Sequence, residues 1–272
     1  MNMKKNNSKI QARIIDHLLY RHWDRWLEGK RSHLFLFNSK SKEIQDITPG
    51  DYDTPPISLG SDQDYCFSPD GKEVCFVSNH DDTVAISTNN DLFLLSLTEN
   101  TITKISISHG NDINPKYSPD GKYIAYASME RAGFEADRLR LLLYNRKTRK
   151  TKELTKNFHL SVSEIVWSPL SDAIFFTSKD AGNMSLFQIS LSDNKIKILL
   201  KGRYIKGLSF ISDDEIIFTE QSISKPAELA TFNIKNKESK ILTRFNDEHM
   251  KQFDLPGYQE FWFTGAQGDS VH

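Results

Sequence analysis

The chain has 272 residues, enough for one large core or two modest ones, and its 35 basic and 36 acidic side chains nearly cancel. No basic stripe or acidic block marks a nucleic-acid or polyanion partner. No apolar run approaches the roughly 20 residues of a membrane-spanning helix.

Met1 to Lys9 is polar and basic, and Arg13, Asp16 and His17 interrupt the segment that follows, so no secretory signal is legible. The setting is left open between cytoplasm and periplasm. Between residues 10 and 27, Ile10, Ile14, Leu18 and Trp26 are nearly in helical phase. Ile15, His17, Leu19 and Arg21 instead follow a strand period, and the extended reading is preferred. The Trp23 and Trp26 pair is read as packing under a long connection.

The runs 33–38 and 42–47 match the outer strands of a β-propeller blade whose inner strands are not recognisable. A repeat then begins. Phe67-Ser68-Pro69-Asp70-Gly71 returns 50 residues later as Tyr117-Ser118-Pro119-Asp120-Gly121, and again after 50 as Trp167-Ser168-Pro169. A degraded copy, Phe210-Ile211-Ser212-Asp213-Asp214, starts 43 residues further on. Each copy joins two runs of period-2 alternation, and two more such runs follow it. A β period of this length marks propeller blades. The predicted strands are 63–67, 73–78, 91–97 and 101–107; 113–117, 122–128, 138–145 and 149–155; 162–167, 173–178, 184–191 and 195–200; 204–210, 215–220, 227–233 and 238–243.

Proline presets φ at the first turn position, and glycine accepts the left-handed conformation that closes the hairpin. The aromatic at the head of each copy is expected to wedge between neighbouring blades, because one blade cannot bury both faces alone. Cys66 and Cys75 flank the first turn on neighbouring strands. They read as two small buried hydrophobes, with a cross-strand disulfide as the alternative. No Cys or His cluster has metal-ligand spacing, and no cofactor is implied.

The expected fold class is all-β: a partial β-propeller of four complete four-stranded blades plus part of a fifth. The expected divisions are 1–59, an N-terminal segment with the incomplete blade; 60–244, the complete blades; and 245–272, a linker and a new segment. The sequence reads as an arc cut at both ends, with bare terminal faces through which the chain would associate.

Several motifs together carry a family likeness: Arg21-His22-Trp23-Asp24, Lys30 to Phe35, the Ser-Pro-Asp-Gly repeats, Ala132 to Arg138, and Glu260-Phe261-Trp262-Phe263. In this order they resemble the N-terminal propeller of prolyl oligopeptidase family serine peptidases, in the bacterial dipeptidyl-peptidase and acylaminoacyl-peptidase branch. The resemblance implies a propeller that filters peptide substrates for an α/β-hydrolase domain not contained in these residues. It also implies that 261–272 is the first strand of that domain. The second reading is a stand-alone interaction propeller of the TolB type.

No Gly-x-Ser-x-Gly nucleophile elbow exists in the chain, and Asp269, Ser270 and His272 crowd into one short stretch. No catalytic residue is therefore assigned, and these residues alone are expected to be inactive. The long connections 79–90, 129–137 and 221–226 are expected to gather on one rim, where binding groups usually sit. Of their residues, Glu135 and Asp137 are candidates to meet a free α-amino group, and Arg131 or Arg138 a carbonyl or carboxylate. The resemblance adds weight to this reading, because the family reads substrate N-termini with propeller carboxylates.

Overall fold

The computed structural model describes Ala12, residues 14–255 and residues 257–272. The repeat appears as sheets of four strands taken in chain order. Strands β1 (Arg21–His22) and β2 (Arg25–Trp26) make a small sheet of their own, and β3 (Phe35–Phe37) pairs with β4 (Ile44–Asp46) in another. The first complete blade has the order β5 (Tyr65–Phe67), β6 (Glu73–Ser78), β7 (Asp91–Ser96), β8 (Thr101–Lys104). The second runs β9 (Asp112–Tyr117), β10 (Tyr123–Ser128), β11 (Arg140–Asn145), β12 (Lys150–Glu153).

The third blade comprises β13 (Val162–Trp167), β14 (Ala173–Asp180), β15 (Asn183–Ser190) and β16 (Ile196–Leu200). The fourth comprises β17 (Tyr204–Ser212), β18 (Glu215–Ser222), β19 (Lys225–Asn233) and β20 (Ser239–Ile241). These two share one eight-stranded sheet, because Met184 of β15 pairs in parallel with Tyr204 of β17. A single helical turn, α1 (Asp247–Met250), and the pair β21 (Phe263–Thr264) and β22 (Ser270–Val271) follow.

By compactness the chain divides into two units. One contains Met1–Tyr117, Tyr126–Arg138 and Asn145–Lys150; the other contains Ser118–Ala125, Leu139–Tyr144 and Thr151–His272. The first unit's core joins Ile47, Val74, Phe76, Phe93 and Leu95, with Leu34, Leu36 and Leu97 packed against them. In the second unit Phe175, Leu186, Ile205, Ile216, Phe218 and Phe232 do the same work. Alternate residues of amphipathic strands meet in both cores, as period 2 requires.

The turn serine explains the repeat. Ser68 N donates to Glu73 O at 2.8 Å and Gly71 N to Ser68 O at 2.9 Å, closing the hairpin. Its hydroxyl donates to Asp70 at 2.7 Å and accepts from Glu73 N at 3.0 Å. Ser118 repeats this arrangement with Asp120 and Tyr123. In the third copy Ser168 bonds Asp172 at 2.7 Å, and Ser171 takes the left-handed position at φ +60° that glycine holds elsewhere. The turn therefore survives loss of the Asp-Gly pair.

A second recurring device lies in the outer strands. Where the third strand of a blade runs ahead of its pairing with the fourth, a leucine N–H has no strand partner. A hydroxyl 14 residues later accepts it: Thr48 from Leu34, Ser106 from Leu92, Thr155 from Leu141 and Thr243 from Leu229, at 2.8–3.0 Å. In the same four places the residue before the hydroxyl donates its N–H to that leucine's carbonyl. The β3–β4 pair thus has the signature of an outer strand pair, as its sequence suggested.

Other expectations need correction. Residues 10–27, of which 10, 11 and 13 lie outside the described residues, do not add a strand to the β3–β4 sheet. The β1–β2 pair is separate from it, and Trp23 is exposed at a left-handed turn residue, φ +52°, instead of packed. Four residues in a tight turn leave no sheet face over which Trp23 can fold. The stretch 261–272 is not one strand but a hairpin, because Gln267 and Gly268 adopt positive φ and reverse the chain. Cys66 and Cys75 sit directly opposite one another, Cys75 buried and Cys66 half-buried, as free thiols.

Two tests follow. Thr155 is fully buried, so Thr155→Val leaves the Leu141 N–H without its acceptor and should cost about 1–3 kcal/mol in chemical denaturation. Buried Glu228 accepts from the Thr243 hydroxyl, from Phe245 N and from both nitrogens of Asn246. The Thr243 hydroxyl leads these donors in holding its carboxyl down to about 2, against an ordinary 4.5. A depressed carboxylate stabilises above its unfolded pKa and loses that contribution on acidification. Melting temperature should therefore fall between about pH 5 and pH 2 more steeply in the wild-type chain than in Glu228→Gln.

Candidate functional site

In the first unit two connections between second and third strands are long, and they meet. Gly133 N donates to Thr88 Oγ1 at 2.8 Å, bringing the 129–137 loop against the 79–90 loop. Between them opens a cleft of about 530 Å³ lined by Asp81, Asp82, Thr88, His109, Ala132 and Gly133, among others. The third connection expected on this rim is not a long loop. Ser222 pairs with Lys225, so only Ile223 and Ser224 turn the chain.

Each wall is fixed from within. Asn79 Nδ2 donates to Ser87 Oγ and to Asn90 Oδ1, both at 3.2 Å, and Asn90 Nδ2 reaches Asn111 Oδ1 at 2.8 Å. Asp81 accepts the Ser87 hydroxyl at 2.6 Å and Asn89 Nδ2 at 3.0 Å, which hold its carboxyl below the usual range. On the far side Ser108 Oγ donates to Met129 O at 2.7 Å. A Cβ on Gly110 would stand 2.6 Å from that same carbonyl, so only glycine lets the segments approach.

Within the Ala132–Arg138 motif, Asp137 is turned inward. Its carboxylate accepts Glu130 N at 2.9 Å, Arg131 N at 2.8 Å and the Arg131 guanidinium at 3.0 and 3.3 Å. Burial opposes the charge. The Arg131 side chain and the backbone N–H groups of Arg131, Glu130 and Arg138 overcome it, and they hold the carboxyl well below the carboxylate range. The Asp137 side chain is only 9% exposed, whereas that of Arg131 is 63% exposed. The Arg131 guanidinium also lies 4.0 Å over the Phe134 ring.

The four residues singled out from the sequence thus separate. Arg131 and Asp137 pair with each other, and Arg138 is half-buried and gives its backbone N–H to Asp137. Glu135 is exposed, with no hydrogen bond or ion pair to any described residue. Among the described residues, it is the acidic side chain of the motif that accepts no hydrogen bond. Asp81, Asp82 and His109 were not singled out from the sequence. The only signal for Asp81 and Asp82 was the unusual length of the 79–90 connection.

A second cleft, of about 740 Å³ in the other unit, is lined by Lys152, Lys156, Phe158, Asp180, Ile198 and Lys201 among others. Lys201 is 3.4 Å from Asp180, and Lys152 donates to Asn194 Oδ1 at 3.0 Å. Among the described residues no cluster of three or more His, Cys, Asp or Glu is arranged to hold a metal ion. No described helix is long and apolar enough to cross a membrane.

Dipeptidyl-peptidase 5 of Porphyromonas gingivalis is 30% identical over 270 residues, covering 97% of this chain and 39% of that protein. The chain is thus similar to dipeptidyl-peptidase 5 along nearly its whole length. It spans about two fifths of the length of the curated relatives it matches. Among solved structures, an acylaminoacyl peptidase of Pyrococcus horikoshii superposes with a TM-score of 0.69 at 15% identity, over 97% of this chain and 39% of its own. TolB of Acinetobacter baumannii gives a TM-score of 0.57 at 18% identity, over 78% of this chain and 48% of its own. No family model matches. The likeness to prolyl oligopeptidase family propellers read from the motifs stands, and the all-β propeller fold with it.

The inward role of Asp137 predicts that Asp137→Ala frees the loop, because several backbone N–H groups lose their acceptor together. Trypsin should then cut at Arg131 or Arg138 faster than in the wild-type chain, with a fall in Tm of about 2–4 °C. Glu135→Ala, touching nothing, should change neither.

Proposed function

We propose that residues 1–272 serve as a non-catalytic, substrate-gating propeller portion of a serine peptidase that acts near peptide N-termini. The observation that carries this reading is the homology to dipeptidyl-peptidase 5 along 97% of the chain, in a sequence with no Gly-x-Ser-x-Gly elbow. The proposed peptide site is the rim around the Ala132–Arg138 loop. There Glu135 meets the cationic α-amino group, while the Arg131–Asp137 pair braces the loop that presents it. Arg131, stacked on Phe134, offers guanidinium N–H groups toward a peptide carbonyl. Arg138 supports the loop through its backbone.

The catalytic step belongs to a hydrolase domain with which this propeller works. The second reading, an interaction scaffold of the TolB type, draws on the likeness in fold to TolB. The two readings differ in what the rim recognises. A gate for dipeptidyl substrates distinguishes a free α-amine from a blocked one, and a scaffold has no reason to.

Fluorescence anisotropy with a C-terminally labelled tripeptide, free or acetylated at its N-terminus, separates them. The gate predicts roughly tenfold weaker binding of the acetylated peptide, about 1.4 kcal/mol, and loss of that difference in Glu135→Gln. Equal affinity for both peptides would sink the reading. The same chain should not release p-nitroaniline from a dipeptidyl p-nitroanilide.

A further inference from the structure

The cleft in the second unit shares no residue with the rim cleft and takes no part in the proposed gate. It lies between the outer strand of the second blade and that of the third. Alternate residues Lys152, Leu154 and Lys156, on β12 and just beyond it, line one wall, and Ile196 and Ile198 of β16 line the other. The floor is aromatic. Phe158, from the connection after β12, meets Phe176 and Phe187 edge-on at 5.5 and 5.1 Å between ring centroids, and those two rings stack at 5.4 Å. Lys152 Nζ bonds Asn194 Oδ1 across 42 residues and ties one wall to the other. Ile198 is 52% exposed, whereas Phe187, opposite it in register, is buried.

The acids that line the cleft each have a basic neighbour: Glu153 has Arg140 at 3.6 Å, Asp180 has Lys201 at 3.4 Å and Asp193 has Lys195 at 3.4 Å. The lysines of the first wall do not have a carboxylate in return. Lys152 bonds a neutral amide, and Lys156 is exposed with no hydrogen bond or ion pair to any described residue. Two ammonium groups thus face an apolar wall. The backbone adds a third element. Among the described strands β16 pairs with β15 alone. Ser190 N donates to Lys195 O, so by antiparallel alternation Ile196 turns its own N–H and C=O to the open side.

We propose that this cleft binds an extended acidic segment of a partner protein, in which an apolar side chain stands between two carboxylates at alternate positions. The segment lies along the open side of β16, and period 2 puts those three side chains on the face that Ile196 and Ile198 share. The apolar one covers Ile198 and the Phe158 ring, and the carboxylates reach Lys152 and Lys156. Burial of the apolar side chain supplies most of the affinity, while the exposed ion pairs choose and orient the ligand. Charge complementarity favours an acidic peptide over a basic or neutral one. The Ile196 backbone groups favour a peptide over an anionic lipid, which has no amide to match them. This inference does not rest on the peptidase reading.

The probe is a fluorescein-labelled peptide, Glu-Thr-Phe-Thr-Glu, titrated into the intact chain at low salt. Saturable binding is expected. It should be about fivefold weaker for Gln-Thr-Phe-Thr-Gln and about tenfold weaker for Glu-Thr-Ala-Thr-Glu. Lys156→Glu should weaken the acidic peptide about fivefold and bind Lys-Thr-Phe-Thr-Lys better than the wild-type chain does. Ile198→Asp should weaken it about tenfold, and on peptide addition the Ile196 amide should exchange more slowly. Thermal melts check that each variant is folded, and Ile198→Ser reads the same contact if the aspartate variant is not. No saturable binding, or binding that ignores both substitutions, overturns the proposal. Sodium octanoate binding as tightly as the peptide overturns it in favour of an anionic lipid. A concentration-dependent dimer in sedimentation that Lys156→Glu disperses also overturns it, since a second copy is then the occupant.

Discussion

A backbone N–H that is buried without an acceptor costs about as much as a lost hydrogen bond, and a propeller blade creates such groups at fixed places. One arises where the third strand runs ahead of its pairing with the fourth. Another arises where the inner strand bulges. Side chains distant in sequence answer both. Hydroxyls 14 residues away serve the first kind, in Thr48, Ser106, Thr155 and Thr243. Carboxylates serve the second. Asp64 accepts Asn114 N across 50 residues, and Glu164 accepts Gly207 N and Leu208 N across 43 and 44. Asn114 and Gly207 both have positive φ, which aims their N–H groups out of the strand ladder. Inner strands of successive blades are thus tied by the same residues that relieve the bulges.

This arrangement decides what was legible in the sequence. The Ser-Pro-Asp-Gly turns are local: serine, aspartate and the residue they bond lie within six positions, so the repeat announces them. The blade count and the strands from 65 onward follow from that repeat. The carboxylate links were not legible, because nothing near Asp64 or Glu164 says that its partner is a bulge a whole blade later. Residues 10–27 failed for a different reason. Their apolar residues fit two periods, and with turn residues Trp23 and Glu28 at positive φ the chain settles into a short hairpin that satisfies neither.

The rim of the first unit uses the same chemistry for another end. The length of the 129–137 connection was visible in the sequence, and so was its unusual charge. What the sequence could not show is which acid faces in. Asp137 and Glu135 look interchangeable on paper, two residues apart. Only the geometry distinguishes them: the shorter side chain sits where the loop's N–H groups converge, and the longer one stands clear of every described donor. An aspartate reaches back to its own loop more readily than a glutamate does, as in the turns where Asx side chains bond nearby backbone.

Long connections occur in the first unit, while Ala181-Gly182 and Ile223-Ser224 turn the corresponding strands in the second with two residues each. The recurring devices of the blades, the turn serine and the hydroxyl clamp, are thus free of the connection between second and third strands. That connection can lengthen without disturbing a single buried amide of the sheet. It then has to satisfy its own backbone, which Asn79, Ser87 and Asp137 do by accepting N–H groups within the rim. Glu135 and Asp82 are not among the groups so used, and both face solvent. In the proposed gate, a rim built this way would present Glu135 from a loop already braced by Asp137, so that bracing and presenting fall to different side chains.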